Sequence, residues 1–318
     1  MNRYDVVVIG GSLAGSACVR ELERLGIDAI ALERARFPRA KVCGGFVSPG
    51  AVKCLDELRL LDEVRRAGAV EVTSACIRVQ SMEVMLPFER PGLGISRSTL
   101  DEVVARGARV EQGCAVHEIR REGCRFRVNG MACSVVIDAA GKSSRFTKRN
   151  NVEEFGIQYV QRNTPKRVLD FSFFEDGYGG TVSVEGGRSN SCFLVKKDGL
   201  RRYIDREDCL VTGPLAYDRV PGEFIAIGDA AGMVDPFCGE GMRHALETGV
   251  LAARVVAAGI RRAASYGEMK WEYEAQWSRR WAVRRMAGQM IRQLLSHPRM
   301  FASGVRLAPA WVLNRVWD

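Results

Sequence analysis

The chain has 318 residues, 47% hydrophobic and 27% charged, with a net charge of +9 and a pI of about 9.2. This describes a globular chain of one large or two modest domains, and no apolar run approaches the roughly 20 residues of a membrane-spanning helix. The basic balance comes without helix-turn-helix, RRM or zinc-finger spacing, so a solvated basic surface is expected and nucleic acid is not.

In chain order, Tyr4 to Ile9 reads as a buried strand, followed by Gly10-Gly11-Ser12-Leu13-Ala14-Gly15, a helix to Leu25, and a second strand, Ala29 to Leu32, ending at Glu33. This is the βαβ layout of a dinucleotide site. Gly10 permits the tight turn and Gly15 the close helix–strand packing. Ser12 stands where a middle glycine is usual and is small enough for a pyrophosphate to approach. Glu33, at the end of the second strand, suits ribose hydroxyls. The opening residues carry no signal-peptide pattern, which points to the cytoplasm.

Residues 34–46 read as a loop rich in Pro and Gly, holding Arg34, Lys41, Cys43 and Gly44. Ser48-Pro49 then caps a helix to about Leu60. Residues 68–88 alternate as strands, Ser96 caps a helix to Ala105, residues 109–128 read as antiparallel strands, and Ser134 to Asp138 returns to a buried strand. From 150 to 211 short β-like runs alternate with Gly-rich turns, predicting a second sheet arranged as a meander.

The segment Phe224 to Met242 reads as a buried strand, a Gly228-Asp229 turn, a loop through Pro236, and a helix opened by Gly239 and Gly241. Asp229 sits where the chain leaves the sheet, the place where ligands of open α/β sheets gather. The two glycines are expected to leave N–H groups bare at a helix start, suited to an anionic or electron-rich ligand such as a flavin. A long amphipathic helix follows from about Glu268 to Ser296, with Val283, Met286, Met290 and Leu294 as its expected packing stripe. His297-Pro298 is expected to end it.

Ten cysteines and three histidines occur, with no C-x-x-C pair. No metal site and no disulfide framework are expected, and most cysteines read as small buried hydrophobes.

These motifs resemble the FAD-dependent oxidoreductases of the para-hydroxybenzoate hydroxylase-like superfamily. Phe37-Pro38-Arg39-x-Lys41-x-Cys43-Gly44-Gly45, Ser96-Arg97-x-x-Leu100-Asp101 and Asp176-Gly177-Tyr178-Gly179 are similar to motifs of its geranylgeranyl reductase family. The resemblance covers nearly the whole chain. It implies an α/β fold: a discontinuous Rossmann-like FAD-binding domain (1–70, 95–149 and 212–265), an inserted antiparallel β substrate domain (71–94 and 150–211), and a helical C-terminal segment (266–318). FAD would then take its pyrophosphate at Gly10, Ser12 and Gly15, its ribose at Glu33, and its phosphate or ribityl region at Arg97. Asp229 beside Gly228 would hold the ribityl end, and Pro236, Gly239, Gly241 and Met242 would face the isoalloxazine. Arg34, Lys41, Cys43 and Gly44 would line the cofactor from the loop. Cys43 has two readings of equal weight, a direct role against substrate or flavin and a small residue in a tight loop.

The expected chemistry is reduction of a C=C bond of an apolar, prenyl or polyketide-like substrate by hydride from reduced FAD, with Cys43 and Tyr178 as catalytic candidates and Tyr178 or a water as proton source. Electrons would come from NAD(P)H bound transiently or from another reductase, because no second dinucleotide signature occurs. The superfamily's hydroxylases carry an Asp before a glycine where this chain reads Ala140-Gly141. An FAD-dependent monooxygenase acting through a flavin hydroperoxide is therefore the alternative. The five tryptophans all lie at or beyond Trp271, away from any halogenase-like tryptophan pair. A flavin-binding protein without turnover is a third reading. Between 271 and 318, eight arginines face three acidic residues. These basic helices read first as a cover on the FAD-binding domain, with a peripheral contact to an anionic membrane or to a biosynthetic enzyme as the alternative.

Overall fold

A computed structural model describes residues 3–79, 81–147, 153–174, 177–204, 208–215, 217, 222–236, 239–295 and 304. The elements are, in order, β1 (Arg3–Ile9), α1 (Leu13–Arg24), β2 (Ala29–Glu33), β3 (Phe46–Val47), α2 (Pro49–Glu57), α3 (Leu61–Arg66), β4 (Val70–Val79), β5 (Met82–Gly94), α4 (Arg97–Ala105), β6 (Val110–Gln112), β7 (Ile119–Glu122), β8 (Arg125–Val128) and β9 (Met131–Asp138). There follow β10 (Glu154–Arg162), β11 (Val168–Phe174), β12 (Gly177–Val184), β13 (Arg188–Lys196), β14 (Leu210–Thr212), β15 (Ile225–Ala226), α5 (Gly241–Arg261) and α6 (Tyr266–Leu295).

The first sheet runs β6-β2-β1-β9 with all neighbours parallel, and β15 adds in parallel to the C-terminal end of β9. Val6, Val7 and Val8 are fully buried: Val6 and Val8 pack in the cluster that holds residues of α1 and α5, and Val7 packs on the other face with Phe126 and Val128 of β8 and with Phe224. The expected antiparallel strands over 109–128 are corrected in part. β6 pairs in parallel with β2, and only the β7–β8 hairpin runs antiparallel, against the start of β9. A three-residue strand carries too little pattern to reveal its direction.

The second sheet has the order β14-β10-β13-β12-β11-β4-β5-β3. It is not a simple meander: β11 lies parallel to β4, so the early hairpin β4–β5 and the later strands share one surface. At the end of β5, Gly94 lies so close to β12 that a Cβ there would stand 2.0 Å from the Ser183 carbonyl oxygen.

Ser48 caps α2 as expected, its hydroxyl accepting from the Ala51 N–H with Pro49 in the first turn. The helix stops at Glu57, earlier than expected, because Arg59 takes a positive φ of 57° and splits the segment into α2 and α3.

On α6 the expected stripe is corrected at Val283 and Met286. Val283 and Met286 are 73% and 62% exposed, and the buried line is Met269, Tyr273, Trp277 and Trp281. Those four repeat every four residues, and burial of each large side chain contributes roughly 1.5–3 kcal/mol, which decides the face. Trp281 packs edge-on to His244 of α5 at 4.5 Å, and Trp277 Nε1 donates to His244 Nε2 at 3.2 Å. The side chains of Met290 and Leu294, and residues 296–303 and 305–318, lie outside the described part.

Candidate functional site

The chain leaves β1 through Gly10, whose φ is +100° and whose Cβ would lie 2.5 Å from the Ala139 carbonyl oxygen. At Gly15 a Cβ would lie 1.8 Å from the Gly10 carbonyl oxygen. Only hydrogen fits at these two positions, so α1 starts flush against the turn. Ser12 occupies the N-cap position in an extended conformation but makes no capping bond. Its hydroxyl donates instead to Asp101 Oδ2 at 2.9 Å and accepts from Arg97 Nη2 at 2.9 Å. The first turn of α1 therefore presents N–H groups without a side-chain cap, the arrangement that suits a phosphate.

Glu33 is buried at the end of β2. Its Oε2 accepts from the Gly11 N–H and its Oε1 from the Ala35 N–H, both at 2.9 Å. Each oxygen keeps a second lone pair for a ribose hydroxyl. Arg34 is exposed and lies outside the cavity described next.

A cavity of about 240 Å³ opens between the two sheets. Ser12, Gly228 and Asp229 line it from the first sheet, Lys41, Cys43 and Gly44 from the loop, and Arg97 from α4. Pro236, Gly239, Gly241 and Met242 line it beyond the turn, and Tyr178 lines it from the second sheet together with Leu169, Phe171, Phe193, Leu194 and Leu215. Twelve sequence-predicted residues, scattered from 12 to 242, thus meet around one space. Gly10, Gly15 and Glu33 shape the entry to it without lining it. A Cβ at Gly44 would meet nothing within 4 Å, so that glycine leaves its room to the cavity. Phe237, Cys238 and Asp176 lie outside the described residues.

The charges around the cavity are organised by Asp101, which is fully buried. It accepts from Arg97 at 3.1 and 2.7 Å, and Arg39 approaches it to 3.7 Å. Burial alone would lower the Arg97 pKa, but Asp101, with Cys43 and Asp229 adding to it, outweighs burial and holds the guanidinium more firmly charged than usual. Loss of water pulls the Lys41 ammonium below the ordinary lysine range, and nearby Arg97 adds to this against Asp229. Lys142, which donates to Thr212 Oγ1, is lowered for the same first reason. The organising role of Asp101 and the place of Lys142 escape a reading of the sequence. Only Asp101 carries a signal there, its i, i+4 spacing from Arg97.

At the far end the expectation for Gly239 is corrected: its N–H donates to the Pro236 carbonyl at 3.0 Å, with φ +62°, closing a turn. The helix proper starts at Gly241, and its N-cap, Glu240, makes no capping bond. Glu240 turns away to accept from Arg284 of α6 at 2.6 Å and from Ser48 at 3.4 Å, with Arg243 at 3.5 Å. Tyr178 donates to Asp235 Oδ1 at 2.8 Å, and burial followed by that carboxylate raises its pKa well above the ordinary phenol. Asp138, two residues before Ala140, accepts from Ser144 at 2.5 Å, Thr147 at 3.2 Å and the Ala140 N–H at 3.0 Å. It braces the 139–147 turn and does not line the cavity. Among the described residues no cluster of His, Cys, Asp and Glu is suited to a metal ion.

Residues 3–158 match the family described as FAD binding domain. The chain is 27% identical to digeranylgeranylglycerophospholipid reductase 2 of Methanothermobacter thermautotrophicus, over 87% of this chain and 84% of that one. It is 27% identical to menaquinone reductase of Mycolicibacterium smegmatis, over 81% of this chain and 77% of that one. Among solved structures, the flavin-dependent brominase Bmp2 superposes with a TM-score of 0.81 over 100% of this chain and 95% of that one. At 18% identity that likeness is one of fold.

Proposed function

We propose that this chain, whose residues 3–158 match an FAD binding domain and which is similar over most of its length to proteins named as reductases, is an FAD-dependent reductase of a C=C bond in an apolar, prenyl or polyketide-like substrate. The observation that carries this reading is the apolar wall that Leu169, Phe171, Phe193, Leu194 and Leu215 present to the cavity. Such a wall receives a hydrocarbon chain and excludes water. Two relatives are named as reductases of a digeranylgeranylglycerophospholipid and of menaquinone, which supports the same class of reaction.

Bound FAD would supply the hydride once reduced. The chain's own residues hold and orient. The uncapped start of α1, with Ser12, takes the pyrophosphate, and Glu33 takes the ribose. Arg97, Lys41 and Asp229 hold the phosphate and ribityl region, and the Gly241–Met242 helix start faces the ring system, where it favours negative charge. Tyr178 lines the cavity with its hydroxyl bonded to Asp235, and either Tyr178 or a water would deliver the proton to the substrate carbon. Electrons enter from NAD(P)H bound transiently or from a separate reductase. Ala140 brings no carboxylate to the cavity, which ranks oxygen chemistry second.

The test is anaerobic. The holoprotein is reduced chemically, and menaquinone or a digeranylgeranylglycerophospholipid is added. The expected result is return of the oxidised flavin absorbance without oxygen, with a product that is two hydrogens richer by mass spectrometry and stays so after re-exposure to air, which returns a quinol to its quinone but leaves a reduced C=C bond. Reoxidation that requires oxygen and yields a hydroxylated product would replace this reading with the monooxygenase. A chain that binds no FAD would remove both.

A further inference from the structure

The loop over 34–45 contains no helix or strand, yet it carries Lys41, Cys43 and Gly44 onto the cavity wall. A segment without its own ladder of hydrogen bonds needs tethers elsewhere. Two amide side chains of the second sheet provide them. Gln158 on β10 is 7% exposed and Asn190 on β13 is 1% exposed. They sit diagonally on neighbouring strands, since Gln158 pairs with Cys192 and Val160 with Asn190.

Their bonds form a closed ring. The Cys43 N–H donates to Gln158 Oε1 at 3.1 Å, Gln158 Nε2 donates to Asn190 Oδ1 at 2.5 Å, and Asn190 Nδ2 donates to the Cys43 carbonyl at 2.8 Å. Every donor in the ring meets an acceptor, so the amide orientations are mutually consistent. Asn190 also packs against the turn: a Cβ at Gly45, where φ is +74°, would stand 3.0 Å from Asn190 Nδ2. Two polar side chains buried this deeply on a sheet face are unusual unless they have partners, and here the partners are both backbone groups of one loop residue.

We propose that Gln158 and Asn190 are positioning residues that clamp the Cys43 peptide, and so fix the loop wall of the cofactor cavity to the substrate sheet. The clamp is a direct hydrogen-bonded link by which β10 and β13, strands of the substrate sheet, hold the segment that faces the cofactor. This rests on the reading of the cavity as the cofactor site, but its test does not depend on FAD.

The test uses the apoprotein and iodoacetamide, with modification at each cysteine followed by peptide mass spectrometry. Asn190→Ala and the nearly isosteric Gln158→Met are expected to speed labelling of Cys43 by roughly tenfold, the effect of removing a buried hydrogen bond that holds a local closed state. Cys133, buried in β9 and remote from the ring, is the internal reference and is expected to keep its wild-type rate. An unchanged Cys43 rate in both variants overturns the proposal. So does equal acceleration at Cys133, which would make the pair a general stabiliser. In the unmodified chain the Cys43 amide is expected to exchange its hydrogen slowly, and fast exchange there also overturns the clamp. A wild-type chain that fails to take up FAD in a parallel titration removes the proposed function and leaves the labelling result standing.

Discussion

Two helix starts face the same cavity, and they are held in opposite ways. α1 and α5 pack on each other, so closely at Gly249 that a Cβ there would lie 2.4 Å from the Ala14 carbonyl oxygen. Neither start has a side-chain cap. The start of α1 is set by shape, because Gly10 and Gly15 leave room for nothing larger than hydrogen. The start of α5 is set by charge, because Glu240 is drawn aside by Arg284 and Arg243, while Glu247 accepts from Arg243 at 2.8 Å and from Arg280 at 2.9 Å. Shape does not respond to pH or salt and charge does, so one end of the site should be indifferent to solution conditions and the other tunable.

The largest effect should come from breaking the shape-held end. In Gly15→Ala the new methyl would have to stand 1.8 Å from a backbone oxygen that is itself held by the turn. Neither atom is the loose end of a side chain, so the helix must move off the turn. We expect a loss of about 4 kcal/mol of unfolding free energy, above the usual range of overpacking, or no folded protein. Urea titration of the apoprotein checks this, and the loss should be equal at low and high salt. A loss below about 1 kcal/mol would show that the turn can yield.

Asp101 is where the shape-held end relies on charge, so it sharpens the comparison. Asp101→Asn keeps a hydrogen-bond acceptor for Ser12 but leaves the Arg97 guanidinium buried without its counter-ion. Removing one partner of such a pair costs about 3 kcal/mol. The expected outcome is a drop of that size in stability together with weaker FAD binding, since Arg97 loses its counter-ion and Ser12 is bonded to Arg97. Equal FAD affinity in variant and wild type would separate the Asp101 network from cofactor binding.

The same division governs what can be read from residues alone. The α1 end is local in sequence: strand, glycines, helix and acid fall within Tyr4–Glu33, and each has a steric or hydrogen-bonding reason that a periodicity argument can find. The α5 end is not local. Glu240 meets Ser48 from 192 positions away and Arg284 from 44 positions away, and nothing in the pattern around Glu240 announces either. Val283 and Met286, expected on the packed stripe of α6, miss it for a related reason. They stand at helical spacing, but the bulkier Met269, Tyr273, Trp277 and Trp281 bury more surface and win the packed face. The second sheet hides its parallel β4–β11 pairing because strand direction leaves no mark on side-chain alternation. Gln158 and Asn190 read as ordinary polar residues of half-buried strands.

The smallest of these effects tests the charge-held end directly. Burial pushes the Glu240 carboxyl up to about 7, and Arg243 and Arg284 offset only part of that rise. An unfolded glutamate releases its proton near pH 4.5, so between there and neutrality the folded chain binds a proton that the unfolded chain has lost. Stability from this group is therefore fully present below about pH 4.5 and is lost as the pH climbs from there through about 7. A glutamine at this position cannot titrate. Relative to Glu240→Gln, the wild type should lose about 2–3 kcal/mol between pH 5 and pH 8, most of it below neutrality, and the difference should level off above that. Unfolding free energies from urea titrations at several pH values measure it. A difference that is flat with pH, or that favours the wild type at high pH, would mean that Arg284 and Arg243 keep Glu240 ionised throughout. The start of α5 would then be as indifferent to pH as the start of α1, and the contrast between the two ends would reduce to one between sterics and a permanently closed ion pair.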